Sequence, residues 1–192
     1  IGAGAACTGI ADLCAIAMRA DGADARAIQR ALLAFDSGGL LHDGRPLDEP
    51  HKQRLAVPRA VLESYGLDPN TKLSPADVIR AVRPTMLVGA TARAGTFTRE
   101  MLEAMAAHVE RPLVLPLSNP TSKAECTPEQ ALAWTQGRAI VATGSPFADV
   151  VHAGRRHVIG QANNVFIFPG VGLGTAIAEA REVTAEMFHI AS

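Results

Sequence analysis

Cysteine is scarce: the chain holds Cys7, Cys14 and Cys126 and no others, too few for a disulfide framework. On one helix Cys7 and Cys14 would stand two turns apart, about 10.5 Å along the axis, farther than a disulfide spans. No cysteine pair has zinc-knuckle spacing, and the six histidines (His42, His51, His108, His152, His157 and His189) have no metal-ligand spacing on a shared helix face. This usage fits a reduced, cytoplasmic setting. Charge of one sign is missing too. Eighteen Lys and Arg against 19 Asp and Glu leave a net charge of −1, which argues against a bulk electrostatic hold on nucleic acid or on acidic lipid. The Arg155–Arg156 pair is expected in a surface turn. Aromatic residues make up 4%, and Trp134 and the phenylalanines read as core rather than as stacking platforms. No stretch approaches the roughly 18 apolar residues of a membrane span. The apolar opening, 1–18, is broken by glycines and has neither a basic n-region nor a cleavage signal. It also lacks an initiator methionine, so the chain is expected to start inside a longer protein.

What is present is apolar mass. Hydrophobic residues are 48% of 192, which excludes intrinsic disorder. A chain of this size can bury about 70% of its unfolded surface, enough for one core. No repeat, low-complexity tract or linker divides it, so 1–192 is expected to be one domain.

Helical and strand-like segments alternate, the pattern of an α/β domain with a mainly parallel sheet. A glycine-rich turn at Gly2–Gly4 opens an alanine-rich helix reaching Arg19. Ala31–Asp36 reads as a short buried strand, and 37–50, rich in Gly and Pro, as loop. A helix is expected over Lys52–Glu63, weakened at Pro58. Ser74-Pro75 caps another that ends before Pro84. Strands follow at Thr85–Gly89, Pro112–Leu117 and Ala139–Thr143, with helices from Thr98 to His108 and from Thr127 to Trp134 between them. The reading closes with a strand over Val165–Phe168 and a helix over Leu173–Phe188.

Four stretches can carry chemistry. In Gly2-Ala3-Gly4-Ala5-Ala6-Cys7-Thr8-Gly9, Gly2 fits the tight turn of a dinucleotide-binding loop and Gly4 the position where backbone approaches a pyrophosphate. Cys7 takes the third small position, and the helix N-terminus faces negative charge. Glycine-rich helix starts are common, so the stretch alone does not decide. Asp36, ending the next strand, can accept hydrogen bonds from ribose hydroxyls or simply cap the Ser37-Gly38-Gly39 turn. It lies farther from Gly4 than the usual spacing of about 20 residues, and 20–30 must absorb the excess. Leu117-Ser118-Asn119-Pro120-Thr121 follows a strand, where ligands of open α/β sheets bind; Asn119 offers a donor and an acceptor, or a plain turn. Gly160-Gln161-Ala162-Asn163-Asn164 presents neutral hydrogen bonds suited to a carboxylate or a nicotinamide amide, or a polar loop.

These pieces occur in one order: Gly-Ala-Gly-x-Ala, Phe35-Asp36-Ser37-x-Gly39-Leu40, Leu87-Val88-Gly89, Gly95-x-Phe97-Thr98, Leu117 through Thr127 (including Glu125-Cys126), Thr143-Gly144-Ser145-Pro146-Phe147, and the run from Gln161 to Gly174. Together they resemble the C-terminal, cofactor-binding domain of malic enzyme over nearly the whole chain. The resemblance implies a Rossmann-like, doubly wound, mainly parallel sheet whose first strand is truncated to its last residue, Ile1. It implies that Gly2, Gly4, Ala5 and Ala6 approach the pyrophosphate, that Asp36 and Ser37 hold the adenosine ribose, and that Val88, Gly89 and Ala90 run along the cofactor. Asn119 would contact cofactor and malate, Asn163 the cofactor or the substrate, and Asn164 the substrate.

The family oxidises malate with NAD or NADP and decarboxylates the product to pyruvate and CO2 with Mg2+ or Mn2+. Its tyrosine–lysine acid–base pair, substrate arginine and metal carboxylates precede the glycine loop, so no catalytic residue and no metal ligand is expected in this chain, and the fragment alone is expected to be inactive. Tyr65, Lys52, Lys72 and Lys123 are not promoted to catalytic roles, and Glu125 is read as supporting structure. The acid at Asp36 favours NAD by repelling a 2′-phosphate; NADP remains open if Arg45, Lys52 or Arg54 folds back across the loop. A homo-oligomer, dimer or tetramer, is implied, with no nucleic-acid or membrane partner. The competing readings are a non-catalytic dinucleotide-sensing module and another nicotinamide-dependent hydroxy-acid dehydrogenase.

Overall fold

The computed structural model describes residues 1–191. Its centre is a four-stranded parallel sheet in the order β3–β4–β5–β8, made of β3 (Met86–Gly89), β4 (Leu113–Pro116), β5 (Ile140–Thr143) and β8 (Gly160–Gln161). Register runs Met86 to Leu113 through Gly89 to Pro116, then Leu113 to Ile140, then Ala142 to Gly160. Ile1 extends this ladder: its nitrogen donates to the Val88 carbonyl and its carbonyl accepts from Ala90 N–H at 3.0 Å. On the other side Gly2 and Ala3 both donate to the Phe35 carbonyl. The first residues are thus wedged between β3 and β1 (Phe35–Asp36), as one strand residue followed by a turn.

The helices are set by local chemistry. Gly4 is the N-cap of α1 (Ala5–Ala20), which carries Cys7 and Cys14, both free. Asp24 accepts from Ala27 N–H to start α2 (Ala25–Ala31), a helix inside the segment expected only as a link. The long spacing from Gly4 to Asp36 is absorbed there. Ser74 caps α5 (Pro75–Val82), which ends at Arg83 with φ 56° just before Pro84. Thr98 caps α6 (Arg99–Ala106). Thr127 and Gln130 form a reciprocal capping box on α7 (Pro128–Trp134).

Several expectations are corrected. The strand read over Ala31–Asp36 is only Phe35–Asp36, paired antiparallel with β2 (Gly39–Leu40); its first residue belongs to α2. The helix expected over Lys52–Glu63 is two, α3 (Pro50–Arg54) and α4 (Arg59–Ser64), because Pro58 has no N–H and sits as the N-cap of the second. The surface turn at Arg155–Arg156 is a hairpin, β6 (Val150–His152) with β7 (Arg155–His157), turning at Ala153 and Gly154, both with positive φ. The strand expected over Val165–Phe168 is a 3₁₀ turn, Asn164–Phe166, running into α8 (Phe168–Ile177) with Pro169 in its first turn. Proline there starts a helix rather than closing a strand. The last strand is β8 instead, and the closing helix divides into α8 and α9 (Ala185–Ala191).

Period-two burial along β3, β4 and β5 turns Leu87, Val114 and Val141 to one face. That face is covered by Phe97, just before α6, and by α6 and α7 through Met101, Leu102, Met105, Ala131 and Leu132. A second cluster joins Phe35, Leu40, Val57, Val61, Leu62, Leu67 and Val78, and Ile1 packs against both. Because all sheet strands are parallel, their carboxyl ends share one edge.

Candidate functional site

Along that edge the chain makes four crossings, each fixed by backbone or by short side chains. At the first, Gly2 has φ +97°, and a Cβ there would lie 2.6 Å from the Ala90 carbonyl oxygen. Only glycine lets this turn sit against the end of β3. Gly4 is different. Its φ of −88° suits any residue, and a Cβ would find nothing nearer than the Gly2 carbonyl at 4.0 Å. No side chain caps the helix it opens, and Gly4, Ala5 and Ala6 are exposed. The first turn of α1 therefore offers uncapped N–H groups beside open space.

The second crossing ends β1. The Asp36 carboxylate is ion-paired to Arg45 at 2.8 Å and to Lys52 at 3.1 Å, and Oδ1 also accepts from Gly38 N–H at 2.8 Å. Burial pushes this carboxyl up, but the bonds from Arg45, Gly38 and Lys52 outweigh it and hold it below the usual carboxylate range. Gly38 makes the approach of Arg45 possible, since a Cβ would lie 2.1 Å from its Nη2. Arg45 also donates to the Gly39 carbonyl at 3.1 Å. Two of the three cations considered from sequence do fold back; the third, Arg54, pairs with Asp12 instead. Ser37 is exposed beside them.

The third crossing brings the loops after β3 and β4 together on Glu125, a fully buried side chain. Oε1 accepts from Thr91 N–H at 2.7 Å, from Thr91 Oγ1 at 2.8 Å and from Ser118 Oγ, and Oε2 accepts from Ser118 N–H at 3.3 Å. Ser118 Oγ in turn accepts from Ala92 N–H at 2.8 Å. Gly89 is small for this reason: a Cβ would lie 2.6 Å from Glu125 Cγ and 2.7 Å from Phe97 Cζ. The neighbouring Cys126 thiol is pushed up to about 12, by burial first and by the Glu125 charge second.

The fourth crossing gathers the asparagines. Gly144 lies against Leu117 so closely that a Cβ would sit 2.0 Å from its carbonyl oxygen. Ser145 Oγ donates to Asn119 Oδ1, across from the cis Asn119–Pro120 peptide. Asn163 Nδ2 donates to the Gly144 carbonyl at 2.9 Å, and Asn163 Oδ1 accepts from Val165 N–H at 3.0 Å. Both ends of Asn163 are therefore engaged by the chain itself, whereas Asn164 and Asn119 are exposed. Val88 and Ala90 are half-buried beside the Gly2 turn. Asn119, the Gly2–Gly4 turn and the asparagine pair thus lie at one edge of the sheet, joined through Ala90–Thr91, Ser118 and Gly144–Ser145.

Thr91 belongs to none of the stretches that stand out in sequence, and Gly144, Ser145 and Glu125 stand there without partners. The signal was present in the spacing of Ser118 and Glu125 around one strand end, but only the sheet register shows that Thr91 meets them. Tyr65, given no catalytic role from sequence, donates to the Arg30 carbonyl at 3.2 Å, and its ring lies under the Arg30 guanidinium, 4.7 Å from the centroid. A cavity of about 610 Å³ between α1, β3 and α5 is lined by apolar groups such as Ile10, Leu33, Val82 and Leu87. Its wall is mostly apolar, and of its polar lining residues Arg30 and Tyr65 are engaged with each other, so it fits an apolar group better than a charged ligand. Among the described residues no group of three or more His, Cys, Asp or Glu could hold a metal ion. No described helix is long and apolar enough to cross a membrane.

The family model for the malic enzyme NAD-binding domain matches residues 1–192. The chain belongs to the malic enzyme NAD-binding domain family. Among curated relatives, NAD-dependent malic enzyme 2 of Vibrio vulnificus (strain YJ016) is 46% identical over 191 residues, covering 100% of this chain and 34% of that protein. NAD-dependent malic enzyme of Sodalis glossinidius (strain morsitans) is 44% identical over 192 residues, with the same coverage of 100% and 34%. The Pseudomonas aeruginosa (strain UCBPP-PA14) enzyme of that description is 42% identical over 192 residues. The chain thus spans about a third of the length of these relatives.

Proposed function

We propose that this malic enzyme domain holds NAD across the carboxyl edge of its sheet, as the cofactor half of an enzyme that converts malate to pyruvate and CO2. The observation that carries the reading is Gly4. Nothing in the chain itself forbids a side chain there, while the helix it opens is uncapped. A glycine that the fold does not need, at a helix N-terminus, fits a close-lying anion. The residues fit the rest of the cofactor as well. The Asp36 carboxylate has about four lone-pair sites; Arg45, Gly38 and Lys52 occupy three of them, and the last is free for a ribose hydroxyl. Ser37 stands next to it. Val88, Gly89 and Ala90 carry the backbone past the middle of the cofactor without bulk.

NAD supplies the hydride acceptor. The chain's own part is orientation: the Asn119 amide, held by Ser145, and Asn164, whose backbone Asn163 fixes, place carboxamides at the reactive end. Asn119 serves both the nicotinamide side and malate; Asn164 serves malate, and Asn163 acts on the cofactor through the loop it holds. The acid–base pair and the Mg2+ or Mn2+ ligands belong, in this reading, to parts of the full-length protein outside these residues. The surface supports such a join. The accessible area is 10921 Å², against roughly 8,700 Å² expected for a free-standing chain of this mass. Phe166, Phe168, Leu173 and Ile177 are exposed at 66%, 73%, 63% and 74%, apolar side chains all around α8 and the turn before it, a surface of the kind that marks an interface. The same surface serves a homo-oligomer, and the assembled enzyme acts in the cytoplasm on a small-molecule substrate.

The test is malate-dependent formation of NADH by the full-length protein in the presence of Mg2+ or Mn2+, with pyruvate measured as co-product. Pyruvate and NADH in equal amounts support the reading; NADH with another keto acid, or none at all, refutes it. The isolated domain should bind NAD and leave malate unchanged.

A further inference from the structure

Glu125 is a carboxyl group buried to 0% exposure with no cation paired to it among the described residues. Placing such a group in a core is costly unless every lone pair is used, and here every neighbour that reaches it is a donor: Thr91 N–H and Oγ1, Ser118 Oγ and N–H. The donors come from two separate loops, one after β3 and one after β4. Both run directly into the groups that the proposed function uses, Ala90 on one side and Asn119 on the other. Ser118 Oγ passes the link back to Ala92 N–H, so the loops are tied twice. The chain also leaves Gly89 without a side chain to make room for the carboxyl group. An apolar residue would fill that space without the burial cost, and a group kept in spite of it is best explained by the geometry it enforces.

We propose that Glu125 is a positioning residue for the reactive half of the cofactor site: it fixes the spacing between the Ala90–Thr91 and Ser118–Asn119 loops, and through it the distance from the middle of NAD to the Asn119 amide. This rests on the reading of the site as an NAD and malate site. It assigns Glu125 no contact with either ligand. The adenosine end is held by a different cluster, Asp36 with Arg45 and Lys52, which shares no hydrogen bond with Glu125. The role therefore predicts an effect on one end of the cofactor only.

The experiment compares the full-length protein with E125Q and S118A. In E125Q the amide oxygen can still face the three donors on the Oε1 side, but the amide nitrogen then meets Ser118 N–H, a donor against a donor. In S118A the hydroxyl that joins Glu125 to Ala92 is gone. Dissociation constants are measured for AMP, which reports the adenosine end alone, and for NAD, together with KM for malate and kcat. Both variants should hold AMP within twofold of the parent. Both should weaken NAD and raise KM for malate by about tenfold, since small misplacement of reacting groups is felt strongly. Equal loss of AMP and NAD, or a lowered melting temperature with unchanged constants, overturns the proposal and leaves Glu125 a purely structural group. Should E125Q fail to fold, S118A decides by the same criteria. If the parent makes no NADH from malate, the functional reading fails, and the AMP-against-NAD comparison still decides whether Glu125 positions the site.

Discussion

Replacing Gly4 by alanine separates what the fold needs from what the ligand needs. The backbone at Gly4, φ −88° and ψ −173°, is open to alanine, and the added methyl meets only the Gly2 carbonyl at 4.0 Å. The stability cost is that of alanine in place of glycine at an N-cap, about 0.5–1 kcal/mol. On a chain of this size that is a shift of roughly 1–4 °C in melting temperature. The cost to NAD is larger. A methyl between the first N–H groups of α1 and a pyrophosphate moves the anion out of hydrogen-bond range. Losing one or two charge-assisted bonds at about 1.5–3 kcal/mol each weakens binding by about 3 kcal/mol, on the order of 150-fold. Gly2→Ala gives the contrast: its φ of +97° and the 2.6 Å approach to Ala90 make it a fold defect, with stability reduced by about 1–3 kcal/mol. Calorimetric NAD titration and thermal unfolding of both variants read the two effects apart. Parent-like NAD affinity in Gly4→Ala would mean that the pyrophosphate does not lie at this helix, and the site would have to be sought elsewhere.

Three further perturbations follow from single contacts. Removing Lys52 leaves Asp36 with the Arg45 cation and the Gly38 N–H; Lys52→Ala should raise the NAD-over-NADP ratio of kcat/KM by about tenfold through added repulsion of a 2′-phosphate, and an unchanged ratio would place that phosphate away from Asp36. Cys126 is held as a thiol, its folded value raised from 9.0 to about 12, so between those values the folded chain binds one proton more than the unfolded one. Its contribution is whole below pH 9.0 and declines above it by about 1.4 kcal/mol per pH unit; urea unfolding at two alkaline pH values should show a shallower decline in Cys126→Ala. Gly89→Ala forces a methyl against Glu125 and Phe97 and should cost about 1–3 kcal/mol, read from the same denaturation curves.

The parts of the fold legible in sequence were those written in local chemistry. Ser74-Pro75, Thr98 and Thr127-Pro128 mark helix starts because their side chains satisfy N–H groups three residues on. The apolar runs at Leu87, Val114 and Val141 are strands because parallel pairing buries them. Where local chemistry is ambiguous, the reading strayed. Val165–Phe168 is as apolar as the true strands, and Pro169 closes a strand or opens a helix equally well. Asn163 decided the matter by capping the 3₁₀ turn before it. β8 is short and contains no large apolar residue, so nothing in its composition announces a strand. It exists through its pairing with Ala142 and Thr143.

The same division explains the site. Gly2, Gly4 and Asp36 stand out in sequence because the features that mark them, a tight turn, an uncapped helix start and a strand end, are local. The groups that bind the edge together act across long separations: Thr91 to Glu125, Ser145 to Asn119, Asn163 to Gly144. The electrostatics at Asp36 changed most. Read in sequence, the acid argues for NAD by repulsion unless Arg45, Lys52 or Arg54 folds back to it. Folded, it is paired with Arg45 and with Lys52, which Glu49 shares, so its repulsion of a 2′-phosphate is weakened. The charge beside Asp36 is therefore set by which cations reach it, and in this chain they arrive from a loop, Arg45, and from a helix beyond it, Lys52.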